Sequence, residues 1–383
     1  MNGNWSYPTP IRFGAGRVAE LPEAAAELGI QRPLFVTDPV LAELDVCRGA
    51  LEVLARAEVP TTTFSNICRN PTGDDVSAGV QALEENGCDG VIAFGGGAAL
   101  DVAKAVALMA GQSRPLWDFE DVGDNWTRVD PAGMVPCVAV PTTSGTGSEV
   151  GRAAVIVEMA THTKRIVFHP GMLPGRVIAD PELTVGLPAG VTAAVGMDAL
   201  SHNLEALCAP GWHPLADGIA VEGIRLVEQG LERAYADGRD LRARGWMMAA
   251  STMGATAFQK GLGAMHALAH PIGAVHDTHH GLTNAVLMPY VLRFNYGAIS
   301  ERLARLAAVL GLPGGAAGYI DRLLEMRESL QIPHRLSELG VSLDDVGALA
   351  QMAAADPSAA TNPIPLTPAA LAEILSGAIE GRV

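Results

Sequence analysis

The alternation of short apolar segments with helical segments in the first half of the chain limits the folds open to it more than any other feature. Residues 33–38, 61–67 and 90–97 are short and rich in β-branched or apolar residues, which predicts buried strands. Residues 40–59 and 76–87 lie between them and have the apolar spacing of helices. Strands separated by helices of this length predict βαβ units and a mostly parallel sheet with helices on both faces.

The pattern changes close to Pro188. Beyond it, segments with apolar residues every three or four positions follow one another, and no convincing strand interrupts them. Residues 179–188, which contain prolines and a glycine, mark the change. We therefore predict an α/β nucleotide-binding domain with a mostly parallel sheet over residues 1–187, and an all-helical domain for metal and substrate over residues 188–383.

Two groups of metal-binding residue types lie in the helical half. Asp198 and His202 are four residues apart in a segment with helical spacing, so both side chains point to one side of a helix. Half of the chain's 10 histidines are crowded into one short stretch further on. Within it, His266 and His270 are again one helical turn apart, and we expect Pro271 to bend or end their helix.

These side chains can form a metal site. Three neutral imidazoles and one carboxylate are a borderline ligand set, suited to Fe(II), Zn, Co, Ni or Mn. A metal with an open coordination position polarises an alcohol or carbonyl oxygen, which helps a hydroxyl lose its proton before its carbon gives up hydride. A surface or capping pair and a non-specific histidine loop are the alternatives. Both are weakened because Asp198 and His202 lie in a mostly apolar helix, where a buried charge needs a partner.

Two loops of small residues follow predicted strands. The first contains the glycines at 95–97, and the second, at 142–148, is rich in Thr and Ser. Glycines let the backbone approach a phosphate, and a helix N-terminus offers free N–H groups. Ordinary turns remain an alternative for each loop, but two such loops at the carboxyl ends of parallel strands fit a ligand bound across the crevice of the sheet.

Asp38 stands at the end of the first predicted strand. A carboxylate in that place can accept hydrogen bonds from ribose hydroxyls and repel a 2′-phosphate, which favours NAD over NADP. The alternative is that Asp38 only caps the turn before Pro39.

Charge and composition exclude some partners. The formal net charge of −16 argues against a nucleic acid or an anionic membrane surface, because a polyanion would be repelled. No apolar run of about twenty residues predicts a membrane span. The N-terminal segment has no signal-peptide pattern, so we expect a cytoplasmic protein. The 5 cysteines are scattered, which argues against a disulfide framework.

Taken together, several segments resemble the iron-containing (group III) alcohol dehydrogenases. They are the loops GGGAALDVAK and PTTSGTGSEV, the segment VIADPELTVGLP, the helix GMDALSH and the stretch MHALAHPIGAVHDTHHG. The resemblance runs nearly end to end and implies the two-domain architecture that this family shares with dehydroquinate synthase. It also implies a homodimer or a larger homo-oligomer.

The resemblance implies roles for individual residues. Asp198, His202, His266 and His280 match the four metal ligands of the family, with Fe(II) as the expected metal and Zn or another divalent ion as the alternative. His270 matches a histidine near the nicotinamide and the substrate that helps to move a proton. The residues that match dinucleotide contacts are Asp38, Asn70, Gly96, Gly97, Asp101, Thr142, Thr143, Ser144, Thr146 and Lys164.

Some residues depart from the family pattern or match nothing in it. Ala98 stands where a serine is usual, which removes one hydroxyl contact but leaves the backbone N–H groups. His276 and His279 match no ligand. Arg152 is a candidate anchor for an anionic substrate, although an arginine there more often faces solvent or an acidic neighbour.

The predicted function is an NAD-linked, metal-dependent alcohol dehydrogenase, or aldehyde or ketone reductase, that acts on a small alcohol by hydride transfer. Three alternatives are open. A reductase of the maleylacetate type shares the fold without the metal, and a lyase of the dehydroquinate-synthase type uses NAD without net formation of NADH. The third is a non-catalytic metal-binding protein, which would leave the two glycine loops unexplained.

Overall fold

The computed structural model describes residues 5–161 and 163–383. These residues form two compact units. The first unit comprises the described residues of 7–143 and 147–186, and the second comprises residues 5–6, 144–146 and 187–383. We keep the predicted domain division into residues 1–187 and 188–383 as a proposal.

The first unit is built around a parallel sheet. Its strands are Ile11–Phe13 (β1), Pro33–Val36 (β2), Thr62–Phe64 (β3), Gly90–Gly95 (β4), Cys137–Pro141 (β5), Ala153–Glu158 (β6), Thr163–Phe168 (β7) and Arg176–Ala179 (β8). Among the described residues, six of these strands form one sheet in the order β1-β8-β5-β4-β2-β3, and every pairing in it is parallel. The predicted mostly parallel sheet is confirmed.

The remaining two strands form an antiparallel hairpin that the sequence pattern did not predict. Strands β6 and β7 pair along their full lengths, from Ala153 opposite Phe168 to Glu158 opposite Thr163. Only two of the six residues of β6, Ala154 and Ile156, are buried, so one face of the strand packs against the protein and the other is partly exposed.

Five helices pack around the sheet of the first unit. They are Leu21–Glu27 (α1), Pro39–Ala42 (α2), Asp45–Arg56 (α3), Gly73–Glu85 (α4) and Gly97–Met109 (α5). The prediction of a single helix over 40–59 is wrong. Helix α2 ends at Ala42, the backbone at Leu44 is extended, and a separate helix, α3, begins at Asp45. Strand β4 is buried along its whole length, and Phe94 packs against Phe35 with ring centroids 5.1 Å apart.

The second unit is helical throughout its described residues. Its helices are Ala189–Cys208 (α6), Pro214–Ala236 (α7), Leu241–Ala257 (α8), Ala264–His276 (α9), His280–Leu310 (α10), Gly315–Ser329 (α11), Val346–Ala355 (α12) and Pro368–Glu380 (α13). This confirms the predicted all-helical half. Helix α9 does not end at Pro271 but continues through it to His276.

A helix that crosses a bilayer must have both sufficient length and sufficient apolar character. Within the described part of the chain, no helix meets both on its own. Helices α10 and α11 meet them only as a pair, across a bend of 68°.

Candidate active site

Helix α6 positions two of the predicted ligands. Of its 20 residues 16 are buried, and Asp198 and His202 are only 2% and 5% exposed. Their four-residue spacing places them on one side of the helix, one turn apart. The alternative of a surface or capping pair is therefore wrong, because neither side chain reaches solvent.

The other two predicted ligands come from α9 and from the first residue of α10. One ligand atom each of Asp198, His202 and His266 lies within 4.8 Å of the other two, and all three residues are buried. His280 joins them with its Nε2 3.6 Å from Asp198 Oδ1 and its ring centroid 5.3 Å from that of His266. The structure thus brings together the four side chains that the sequence singled out.

Two of the imidazoles are oriented by hydrogen bonds from their outer nitrogens. His202 Nδ1 lies 3.3 Å from the backbone oxygen of Gly145, and His266 Nδ1 lies 2.7 Å from Glu205 Oε2. An imidazole that donates from Nδ1 keeps a lone pair on Nε2, which is the atom that a metal needs. Glu205 is itself buried and accepts a second hydrogen bond, from the backbone N–H of Met265 at 2.7 Å.

The environment sets the charge of these imidazoles. Burial lowers the pKa of His202 to about 4, although Asp198 acts in the opposite direction. Burial also lowers the pKa of His266, but the hydrogen bond and the charge of Glu205 outweigh it, so the pKa of His266 is raised overall. His202 is therefore neutral at pH 7 and able to coordinate, and a cation near His266 competes with a proton.

His270 lies beside this cluster and has its own carboxylate partner. Its ring centroid is 5.4 Å from that of His280 and 5.9 Å from that of His266. Its Nδ1 lies 2.8 Å from Asp356 Oδ2. Burial alone would raise the pKa of Asp356, but the charge and hydrogen bond of His270 lower it overall. The carboxylate is thus ionised and fixes the imidazole with Nε2 on the opposite side of the ring.

The two histidines that matched no ligand are used elsewhere. His279 accepts a hydrogen bond from the backbone N–H of Leu282 at 3.4 Å and caps α10. His276 Nε2 lies 3.4 Å from Asp345 Oδ2. The histidine-rich stretch is therefore not a solvated metal-binding loop, since His266 and His280 face the buried cluster while His276 and His279 serve other contacts.

Sequence reasoning missed three polar residues around the cluster. Glu205 was detectable, because it lies seven residues after Asp198 and shares a face of α6 with it. Asn284 lies one helical turn after His280 and was also within reach of the spacing argument. No pattern pointed to Asp356, which meets His270 only because the chain folds back over 86 residues.

In the first unit, the two small-residue loops meet. The backbone N–H of Thr142 donates to the oxygen of Gly95 at 3.0 Å. A Cβ atom on Gly96 would stand 3.3 Å from Thr143 Cγ2. Gly95 has a φ of +155°, and a Cβ there would lie 2.7 Å from the Cβ of Ala99, so only glycine fits. The N-terminus of α5 follows at Gly97, which suits a bound phosphate.

Of the two roles considered for Asp38, the structure shows the capping role. Its Oδ1 accepts hydrogen bonds from the backbone N–H groups of Val40 and Leu41, at 3.0 and 2.8 Å, so it caps α2. Its Oδ2 lies 3.9 Å from the position that a Cβ on Gly95 would occupy. The second oxygen therefore lies beside the glycine loop.

Asp101 is engaged within the protein. Its carboxylate accepts hydrogen bonds from Ser148 Oγ at 2.5 Å and from the backbone N–H of Val155 at 3.0 Å. The buried ammonium of Lys104 is 3.2 Å away and donates to the backbone oxygens of Ser148 and Ala153. These contacts tie the second loop and the start of β6 to α5, so the observed role of Asp101 is to hold the loop in place.

The other predicted dinucleotide contacts are distributed over both units. Thr142 and Ser144 are buried, and the Ser144 hydroxyl has no hydrogen-bond partner among the described residues, which leaves it available to a ligand. Thr146 follows in the same loop, Asn70 precedes α4, and Lys164 lies on β7 opposite Val157.

Arg152 is occupied by neighbours of its own unit. Its guanidinium lies over the ring of Phe168, 5.5 Å from the centroid. Burial raises the pKa of Asp121, and the charge of Arg152 opposes that rise, which shows that the two groups are close. The acidic-neighbour alternative describes Arg152 better than the substrate anchor does.

Comparison with known proteins agrees with this arrangement. Residues 8–181 match the family model described as iron-containing alcohol dehydrogenase, and residues 192–379 match the C-terminal model of the same family. The chain is 40% identical to 4-hydroxybutyrate dehydrogenase of Cupriavidus necator, over 93% of this chain and 94% of that protein. It is 34% identical to the NAD-dependent methanol dehydrogenase of Bacillus methanolicus, over 98% of this chain and 100% of that protein.

Solved structures give the same result. A crystal structure of 1,3-propanediol oxidoreductase superimposes with a TM-score of 0.94 at 32% identity and covers 99% of this chain and 100% of its own. A maleylacetate reductase from Rhizobium sp. strain MTP-10005 is also similar, with a TM-score of 0.81 at 30% identity, over 98% of this chain and 97% of its own.

Proposed function

Because the chain belongs to the iron-containing alcohol dehydrogenase family, and is thus an NAD-dependent alcohol oxidoreductase that uses a divalent metal, we propose that Asp198, His202, His266 and His280 hold that metal. The observation that carries this proposal is the convergence of the buried Asp198, His202 and His266, with the partly exposed His280 beside them. Iron is the metal we expect, and zinc is the alternative.

The donor set fits a divalent cation by its chemistry. A carboxylate and three neutral imidazoles leave a net charge near +1 on a bound dication, a balance that a buried site tolerates. The outer hydrogen bonds of His202 and His266 keep their Nε2 lone pairs directed inward. When bound there, the cation supplies Lewis-acid polarisation of the substrate oxygen, and NAD accepts the hydride.

We assign His270 to the proton that leaves the substrate. Oxidation of an alcohol releases a hydride from the carbon and a proton from the oxygen. His270 Nε2 is the atom that accepts this proton, because Nδ1 is held by Asp356 at 2.8 Å. The Asp356 carboxylate keeps the imidazole in this tautomer and stabilises the imidazolium that forms. In the reductive direction the same atom returns the proton.

The nucleotide contacts are proposed from the two loops. The backbone at Gly96 and Gly97 and the N-terminus of α5 suit the diphosphate, with Thr142, Thr143, Ser144 and Thr146 as further contacts. Asp38 Oδ2 would accept a hydrogen bond from the adenosine ribose, the one that carries the 2′-phosphate in NADP, with Asn70 and Lys164 as additional contacts. Asp101 acts by holding the second loop through Ser148.

For the substrate we propose a short primary alcohol or the corresponding aldehyde. The similar proteins are named for 4-hydroxybutyrate, methanol and 1,3-propanediol, which share a primary hydroxyl on a short chain. Since the guanidinium of Arg152 lies over the ring of Phe168, we do not assign it as an anchor for a substrate carboxylate. We further propose a homodimer or larger homo-oligomer and a cytoplasmic location.

The experiment that tests the metal assignment is an NADH-linked assay on His266→Ala, with His334→Ala as the matched control. Anaerobically purified protein is assayed with the three alcohols, before and after chelation and re-addition of Fe(II) or Zn(II). We expect His266→Ala to lose bound metal and at least about 100-fold in kcat/KM. His334→Ala, which changes an imidazole outside the cluster, should keep both. Near-normal turnover of a metal-free His266→Ala would revive the maleylacetate type of reductase.

A further inference from the structure

Asn284 contacts three of the four proposed metal ligands at once. It lies one turn after His280 on α10 and is fully buried. Its Nδ2 donates to Asp198 Oδ1 at 2.9 Å and lies 3.3 Å from His266 Nε2 and 3.2 Å from His280 Nε2. A single neutral donor group therefore faces the same atoms that are proposed to hold the cation.

The chemistry of the metal-free protein explains why a donor is needed there. In the neutral form of His266, which is the form that binds a metal, Nε2 carries a lone pair because Nδ1 of the same ring donates to Glu205. Asp198 contributes a carboxylate oxygen a short distance away. Buried acceptors that face one another without a donor carry the full cost of their desolvation. The two N–H groups of Asn284 relieve that cost by serving the carboxylate and sharing the second hydrogen between the imidazoles.

The orientation of the carboxamide follows from the same argument. With nitrogen and oxygen exchanged, Asn284 Oδ1 would face a carboxylate oxygen and an imidazole lone pair, which is repulsive. In the observed orientation Oδ1 is buried without a hydrogen-bond partner in the described part of the chain. The side chain thus gives all its donors to the cluster and leaves its own acceptor unsatisfied.

Metal loading changes which of these hydrogen bonds can exist. An imidazole Nε2 has one lone pair, and in the loaded protein that pair is directed to the cation. The hydrogen bonds from Asn284 to His266 and His280 are then lost, whereas Asp198 Oδ1 has a second lone pair and keeps its bond. Asn284 therefore stabilises the metal-free protein more than the loaded protein.

We propose, resting on the metal site proposed above, that Asn284 is a positioning residue that stands in for the cation. In the metal-free protein it holds Asp198, His266 and His280 in convergence and prevents the buried acceptors from separating. The competing interpretation is that Asn284 turns over and offers Oδ1 as a further ligand. A third is that it only fills space between α6, α9 and α10.

Thermal unfolding of metal-free and zinc-loaded protein separates these interpretations. The variant is Asn284→Leu, which keeps the volume and removes both donor and acceptor. The control is Asn295→Leu on the same helix, where a buried asparagine exchanges hydrogen bonds with Asn362. The quantity compared is the difference in Tm between loaded and metal-free protein, together with zinc affinity measured by competition with a chelator.

We expect Asn284→Leu to widen the Tm difference by about 2 to 6 °C and to tighten zinc binding by about three- to tenfold, because the metal-free state loses more hydrogen bonds. Asn295→Leu should lower both Tm values equally. A narrower difference with weaker zinc binding would make Asn284 a ligand, and an unchanged difference would make it a space-filling residue; either result overturns the proposal. If Asn284→Leu does not fold, Asn284→Ala carries the same expectations.

The outcome for the wild-type chain separates this proposal from the one on which it rests. Zinc that fails to raise the Tm of the wild-type protein refutes the metal site itself, and the role of Asn284 with it. A wild-type Tm that rises with zinc, combined with no widening in Asn284→Leu, refutes only the role of Asn284.

Discussion

Replacing Glu205 with glutamine should weaken metal binding although Glu205 is not a ligand. Its two oxygens accept from His266 Nδ1 and from the backbone N–H of Met265, both at 2.7 Å. Glutamine has a single acceptor oxygen, so one of these donors must face an NH₂ group and lose its hydrogen bond. The bond that His266 loses is charge-assisted, and such bonds contribute about 1.5 to 3 kcal/mol. This corresponds to about a 10- to 100-fold loss of metal affinity.

Competition with a chelator measures the zinc affinity of the variant. An NADH-linked assay at saturating zinc then shows whether activity returns when the site is fully occupied. The matched control is Glu222→Gln, which removes a carboxylate that pairs with Arg225 at the surface of α7. Zinc affinity of Glu205→Gln equal to that of the control would refute the argument that the outer hydrogen bond orients His266.

Three further predictions concern the proton path and the nucleotide. Asp356→Asn should lower kcat by about 100- to 10,000-fold and leave the metal content unchanged, because His270 loses its charged partner. Steady-state rates and metal analysis measure the two quantities, and an unchanged kcat would contradict the prediction. Asp38→Ala should raise the ratio of NADP to NAD activity by about tenfold or more, because the carboxylate no longer repels a 2′-phosphate. It should also lower Tm by about 2 to 4 °C, because α2 loses its cap. An unchanged cofactor preference would refute the ribose role. Gly95→Ala should raise the KM for NAD by about tenfold or more, because its Cβ would stand 2.7 Å from the Cβ of Ala99. A normal KM would show that the loop backbone can shift to accommodate the added Cβ.

Much of the fold was predictable because its signals are local. The parallel sheet followed from short apolar strands that alternate with helices, and strand β4 is buried along its whole length as its composition indicates. The four proposed ligands stood out because Asp198 and His202 sit at helical spacing and because His266 and His280 lie in a dense histidine stretch, where the family resemblance singled them out. The glycines before α5 were informative for the same reason, since a φ of +155° at Gly95 requires glycine.

The errors have physical causes that sequence spacing does not express. Hairpin β6–β7 has strand-like β-branched residues at 155–157 and 166–167, but no residue spacing indicates that these strands pair with each other outside the six-stranded sheet. The helix expected over 40–59 breaks at Leu44, where no proline or glycine marks the break. Helix α9 continues through Pro271 to His276, so of the two outcomes expected there, the ending of the helix is wrong.

The residues around the cluster were harder to predict than the cluster itself. Asp356 reaches His270 across 86 residues of sequence, and only the packing of the helices brings them together. Asn284 and Glu205 share helix faces with His280 and Asp198, but an asparagine or a glutamate on a helix face is too common to stand out. Supporting residues are defined by the atoms they contact, and those contacts appear only in the folded chain.

X-ray absorption at the metal edge of the loaded protein identifies the ligand atoms of the metal. We expect about three imidazole nitrogens and one carboxylate oxygen, at about 2.0 to 2.2 Å for zinc, with about one metal ion per chain. We also expect His280→Ala to remove one imidazole from this shell. A shell that contains sulfur at about 2.3 Å, or that keeps the same number of imidazoles in His280→Ala, would contradict the assignment of Asp198, His202, His266 and His280.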